Sequence, residues 1–247
     1  MPFVLLKIAA PIKRELAKDG KSIDFHCING KTEAHLFLGS ESSFEGPFYG
    51  YYDEIVSTLE DVAPWILTTS LLDAKPEDWM RKFRENGRPT VNPTAAVAYI
   101  QDYADHQSEP FDLVLGFSEG ASVAASTIVH QARTHCLNAF KGAIFIGGYP
   151  PYDMESHRSL LADEDTTRIR IPTAHIVGSA DPSRASSLAL YNICDAETSI
   201  LFDHDKGHIV PTDGKSTMGM AAAIREVRDG MLVARSHGSL VAGMPKL

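Results

Sequence analysis

Gly116-Phe117-Ser118-Glu119-Gly120 sets a serine between two glycines at two-residue spacing. The apolar run Leu113-Val114-Leu115 leads into it, and a small-residue segment that reads as a helix follows at once. Either this is only a tight strand-to-helix turn, or the turn holds Ser118 up as a nucleophile. A serine hydroxyl is a poor nucleophile at neutral pH, so the second reading needs a base to take its proton and a carboxylate to orient the base. Both residue types recur further on, each just past an apolar run. Asp181 lies in Gly178-Ser179-Ala180-Asp181-Pro182, and His208 in Asp203-His204-Asp205-Lys206-Gly207-His208. Gly116 and Gly120 let the backbone turn sharply. The backbone amide of Glu119, at the start of the helix, can then donate to an oxyanion.

Rival assignments exist for each partner. His204 is a second candidate base, but Gly207 precedes His208 and places it further into the loop. His204, at the strand's edge, suits a structural role. Asp181 before Pro182 is also a common turn former, whereas Asp203 and Asp205 lie too close to His208 in sequence to orient it. His175, inside a predicted strand, is expected to pack in the core. His26, His35 and His237 have no partner that the sequence names. Tyr149 and Tyr152, in the turn Tyr149-Pro150-Pro151-Tyr152, either pack a loop or wall an acyl pocket. The same two readings hold for the aromatic cluster from Phe44 to Tyr52, Phe48 included. Trp65 and Trp79 belong to a cap-like segment.

The elements that must position these residues follow from hydrophobic pattern. Strands are expected at 112–116, 142–147, 172–178 and 199–203, with helices at 119–133 and 216–235. Ala96, Val97, Ile100, Tyr103 and Ala104 make a helical stripe after Pro93, with Thr94 as its N-cap. Phe3, Leu5, Leu6, Ile8, Ile12 and Leu16 suit an amphipathic helix ending near Asp19-Gly20. Pro11 offers an alternative, a helix starting there after a short strand over Phe3–Leu6. Ile23, Phe25 and Cys27 alternate as a strand would and stop at Asn29-Gly30. Residues 31–54 read as loop, and 56–86 as one or two helices around Pro64 and Pro76. The expectation is a single domain over 1–247, with 31–92 as a loop and helical cap-like insertion. Continuous apolar strands alternating with helices imply an α/β fold, a mostly parallel sheet with helices on both faces. The order Ser, Asp, His, each beyond a strand, is that of an α/β-hydrolase.

The net charge of −9 argues against a nucleic-acid partner, which needs a basic face. Cys27, Cys136 and Cys194 show no metal-ligand or disulfide-framework spacing, which fits a reducing compartment, and cytoplasmic is the default reading. No metal or other cofactor is expected. No apolar run approaches the length of a membrane span.

Four blocks carry a family resemblance: PFDLVLGFSEGA, Gly46-Pro47-Phe48-Tyr49, IPTAHIVGSADP and DHDKGHIVP. Over roughly residues 8 to 230, the chain resembles the fungal serine hydrolases related to the ovarian-cancer-associated serine hydrolases. The resemblance implies a carboxyl-ester hydrolase or a polyketide-pathway thioesterase. Ser118 would be its nucleophile, Asp181 its acid and His208 its base. Its partners would be a small acyl ester or thioester and a polyketide synthase carrier domain. Two departures stand out. The family has glutamine where this chain has Glu119, a carboxylate that disfavours an oxyanion unless it points away. The family also begins with an apolar strand and a Leu-His-Gly loop that supplies a second oxyanion amide, and no such segment occurs here. The sheet is therefore expected to lack that strand, to substitute Phe3–Leu6 for it, or to have it filled by another segment or chain; alternatively the natural start lies upstream. These departures keep two alternatives open: a catalytically weak hydrolase-fold protein that binds an acyl chain, product or carrier domain, and an acyltransferase using the same triad.

Overall fold

The computed structural model describes residues 3–21, 23–34, 48–52, 75–85, 92–136 and 139–242. Helix α1 (Phe3–Leu16) runs through Pro11 and ends in a 3-10 turn, Ala17–Asp19, closed by Gly20 at φ 72°. Phe3–Leu6 is thus helical, not a short strand, and Pro11 is not the helix start. Ile12 and Leu16, one turn apart, bury against the last helix. That packed stripe outweighs the hydrogen bond the proline removes.

The alternation of Ile23, Phe25 and Cys27 does not make a strand. Residues 23–30 form neither strand nor helix, and Ile23 is 37% exposed. Alternation needs a ladder partner to become a strand, and among the described residues none pairs with this one. Instead β1 (Thr32–Ala34) and β2 (Phe48–Gly50) form a small antiparallel pair, with Thr32 opposite Gly50. Within the segment expected to be helical, α2 (Pro76–Glu85) is described, and Pro64 and Trp65 lie outside the described residues. Helix α3 (Thr94–Asp105) follows Pro93. Thr94 is its first residue and not its cap; the Asn92 carboxamide oxygen accepts the Thr94 amide at 2.9 Å.

The remaining elements alternate: β3 (Leu113–Phe117), α4 (Glu119–Thr134), β4 (Gly142–Ile146), β5 (Thr173–Val177), α5 (Arg184–Ile193), β6 (Ser199–Asp203) and α6 (Gly214–Ala242). The four strands pair in parallel in the order β3-β4-β5-β6. Side-chain alternation along β4 explains the layers. Ala143 and Phe145 join the core with α3, α4 and α5, while Ile144 and Ile146 join the core with α1 and α6. The α/β architecture with helices on both faces is as expected. Among the described residues, no helix is long and apolar enough to cross a membrane.

Candidate active site

At the carboxyl end of β3 the chain reverses direction within two residues. Ser118 takes φ 54°, ψ −120°, a conformation costly for a residue with a side chain. Gly116 is required by space, because a Cβ there would lie 2.4 Å from the Gly120 carbonyl oxygen. The Ser118 amide donates to the Ile146 carbonyl at 2.8 Å, pinning the turn to β4.

The loops after β5 and β6 bring the partners in. Gly178 packs so closely on the Lys206 carbonyl that any Cβ would overlap it, and the Ala180 amide donates to that same carbonyl at 3.1 Å. His208 Nε2 thereby sits 2.9 Å from Ser118 Oγ, and its Nδ1 sits 2.8 Å from Asp181 Oδ2. The other carboxylate oxygen of Asp181 accepts the amide and the hydroxyl of Ser183, each at 2.7 Å. Burial works to raise the Asp181 pKa, but the bonds from His208 and Ser183 prevail and hold it below the ordinary carboxylate value. The imidazole lies between the Phe117 ring, 5.2 Å away, and Gly147, where a Cβ would come within 3.1 Å of His208 Cε1.

The rival groups lie outside this hydrogen-bonded chain, and the buried Nδ1 of His204 has no hydrogen-bond partner among the described residues. His204 is 6% exposed and its amide donates to Val177; burial lowers its pKa. Asp203 accepts the amides of Ser179 and Asp205. His175 is buried between Phe145 and Tyr191, and desolvation pushes its pKa down to about 3. His26 does have partners: Asp24, the Tyr103 hydroxyl and the edge of Phe111. His35 and the side chain of His237 lie outside the described residues.

The Glu119 carboxylate is bound by backbone amides from a distant stretch of the chain. Its Oε1 accepts the amides of Tyr51 and Tyr52, at 2.5 and 3.3 Å. This strap ties residues 51–52 to the first residue of α4, and the Tyr51 hydroxyl donates onward to the Ile28 carbonyl at 2.7 Å. Tyr149 is half-buried two residues beyond Gly147 and stacks on Phe83 of α2. Tyr152 is likewise half-buried; its amide donates to Ser126 Oγ and its ring meets Tyr52 edge-on. Phe48 opens β2, opposite Ala34, and its side chain lies outside the described residues. Helix α2 is held by apolar packing of Trp79, Met80 and Phe83 on Leu161, and by Arg81 and Arg84 paired with Asp163 and Glu164. No group of three or more metal-ligating side chains occurs among the described residues.

Two groups at the site were not anticipated. One is Ser183, although Asp-x-Ser with the amide two residues on bonded to the aspartate is a recognisable Asx-turn signature. The other is the Glu119 strap, which joins residues 67 and 68 positions apart and leaves no local pattern.

The family described as serine hydrolase (FSH1) matches residues 13–220. The chain belongs to this family. Its sheet, elbow and Ser–Asp–His order are those of an α/β-hydrolase. Esterase FPY3 of Fusarium mangiferae is 39% identical over 142 residues, 52% of this chain and 62% of that protein. Hydrolase phiM of Talaromyces stipitatus is 35% identical over 115 residues, 43% of this chain and 46% of that protein. This member of the FSH1 family thus spans less than two thirds of the length of either. Mouse α/β-hydrolase domain-containing protein 10 superposes with a TM-score of 0.44 at 11% identity, covering 56% of this chain and 70% of that one.

Proposed function

We propose that this protein is a serine hydrolase that cleaves a carboxylic ester or thioester through an acyl-Ser118 intermediate. One observation carries the reading: Ser118 Oγ, the His208 ring and the Asp181 carboxylate form an unbroken chain of hydrogen bonds at 2.9 and 2.8 Å. His208 Nε2 takes the hydroxyl proton as Oγ attacks the acyl carbon, and Asp181 stabilises the imidazolium that forms. The oxygen of the tetrahedral intermediate receives the Glu119 amide. Collapse passes the proton from Nε2 to the departing alcohol or thiol. Water then enters, gives a proton to His208 and releases the acid, restoring Ser118. With its side chain committed to Tyr51 and Tyr52, Glu119 can serve through its amide without setting its carboxylate against the oxyanion.

Tyr149, Tyr152 and Phe48 are assigned to the acyl pocket. Tyr149 is the strongest of the three, because its stacking on Phe83 joins the end of β4 to α2. The finer reading is a thioesterase or esterase of fungal polyketide metabolism that takes its acyl group from a carrier domain, and it rests on the four resembling sequence blocks. Three free cysteines support a reducing, cytoplasmic setting.

The test is intact-mass measurement after fluorophosphonate treatment. A single adduct is expected on the wild type and none on Ser118→Ala. An unlabelled wild type, or labelling that survives the substitution, would sink the reading. Labelling without turnover of p-nitrophenyl esters would favour the acyl-binding alternative.

A further inference from the structure

We propose that Ser183 is a positioning residue for the base, its hydroxyl holding the Asp181 carboxylate in place while giving His208 Nδ1 a second acceptor. The proposal rests on the serine-hydrolase reading above. Ser183 is 6% exposed and directly precedes α5. Its Oγ lies 2.7 Å from Asp181 Oδ1 and 3.2 Å from His208 Nδ1, so one small side chain touches both the base and its carboxylate.

The hydroxyl has one proton, and the neighbours decide where it goes. An ionised carboxylate only accepts, so the proton is donated to Asp181 Oδ1. The oxygen's lone pair then faces Nδ1–H, whose shorter bond is to Asp181 Oδ2 at 2.8 Å. The N–H is shared between two acceptors, both of which favour the tautomer that leaves Nε2 able to receive the Ser118 proton. Two donors on Oδ1 also oppose rotation of the carboxylate and keep Oδ2 turned to the imidazole. No proton is transferred to Ser183 in any step.

The geometry separates this role from a purely structural one. The Ser183 amide also donates to Asp181 Oδ1, and the Ser183 carbonyl accepts the Ser186 amide and hydroxyl at 2.9 and 2.7 Å. Backbone bonds therefore hold the turn and the start of α5 when the side chain is removed. What Ser183→Ala takes away is the hydroxyl bridge alone.

Ser183→Ala should lower kcat for a p-nitrophenyl ester about three- to tenfold, as one net hydrogen bond implies. KM should stay unchanged, and phosphonylation of Ser118 should slow by the same factor. Ser183→Thr, which keeps the hydroxyl, should recover most of the loss. A second readout needs no turnover: the low-field proton resonance of His208 Nδ1–H should shift and exchange faster in Ser183→Ala and return in Ser183→Thr. Should alanine prevent folding, Ser183→Cys keeps the shape with a weaker donor and takes its place. A wild type that does not label would overturn the hydrolase reading while the resonance still decides the part played by Ser183. An unchanged resonance in the folded variant overturns the proposal, whatever happens to turnover.

Discussion

Strands β4 and β5 are buried at every position, whereas β3, which leads into Ser118, is buried only at Gly116. The difference runs through the site. On the side of the base, the groups are held by short bonds between adjacent strand ends: Asp181 by Ser183, His208 by Asp181, and the imidazole between Phe117 and Gly147. On the side of the Glu119 amide, the described contacts come from a distant stretch of chain, residues 51–52, held by one carboxylate. The proposed acid follows a strand buried at every position, the proposed base follows the partly exposed edge strand β6 and is held through that acid, and the proposed oxyanion donor is tied by a strap from residues 51–52. Robustness should therefore differ between the two sides.

Three measurements would break or sharpen that contrast. The largest effect is expected at the buried side. Asp181→Asn keeps the shape but favours the wrong tautomer of His208, and kcat should fall about 10⁴-fold. A loss under tenfold in ester hydrolysis would mean that the base does not depend on this carboxylate. The next effect is at the strap. Glu119→Ala should cost roughly 10- to 100-fold in kcat, short of the loss of a whole oxyanion donor. Glu119→Gln keeps an oxygen that can accept both tyrosine amides and should stay within a few fold of wild type. Equal losses in the two variants, read by phosphonylation rate, would remove the strap from the account.

The smallest effect concerns stability and belongs to β5. The folded-state pKa of His175 is pushed from the ordinary 6.5 to about 3 by burial. Below pH 6.5 the unfolded chain binds a proton that the folded protein refuses, so this residue makes stability fall as pH drops from 6.5 towards 3. Between pH 7 and pH 5, urea denaturation should show the wild type losing about 2 kcal/mol more than His175→Phe. Parallel losses would mean that His175 is not kept neutral. The lowered Asp181 pKa acts in the same direction, but only at pH values below the ordinary carboxylate range.

The parts of the molecule that could be read from the chain are those in which local pattern and tertiary burial agree. Continuous runs such as Gly142–Ile146 and Thr173–Val177 match strands buried on both faces; Asp181 follows the second of these, and Ser118 and His208 follow the apolar runs of the partly exposed strands β3 and β6. Pattern misled where burial was decided from afar. Pro11 suggested a break, yet Ile12 and Leu16 find the last helix 200 residues on and the helix continues through it. Ile23, Phe25 and Cys27 alternate without a ladder to join. Helix α5 was missed because its first turn, Arg184-Ala185-Ser186-Ser187, reads as polar; Ser186 and Ser187 are buried because their hydroxyls bond to the Gly148 carbonyl. The strap was out of reach for the same reason, since a carboxylate that binds backbone amides selects no residue type at its far end.

The backbone of Ser118 has a consequence for how such a protein can be improved. At φ 54°, ψ −120°, a side chain is a burden that glycine would relieve. A variant library screened for heat resistance alone would be drawn towards glycine at this position, and, with Ser118 as the proposed nucleophile, its best survivors would be inert. Ranking by stability and ranking by activity are opposed here at a single residue, so any engineering of this scaffold has to select for both together.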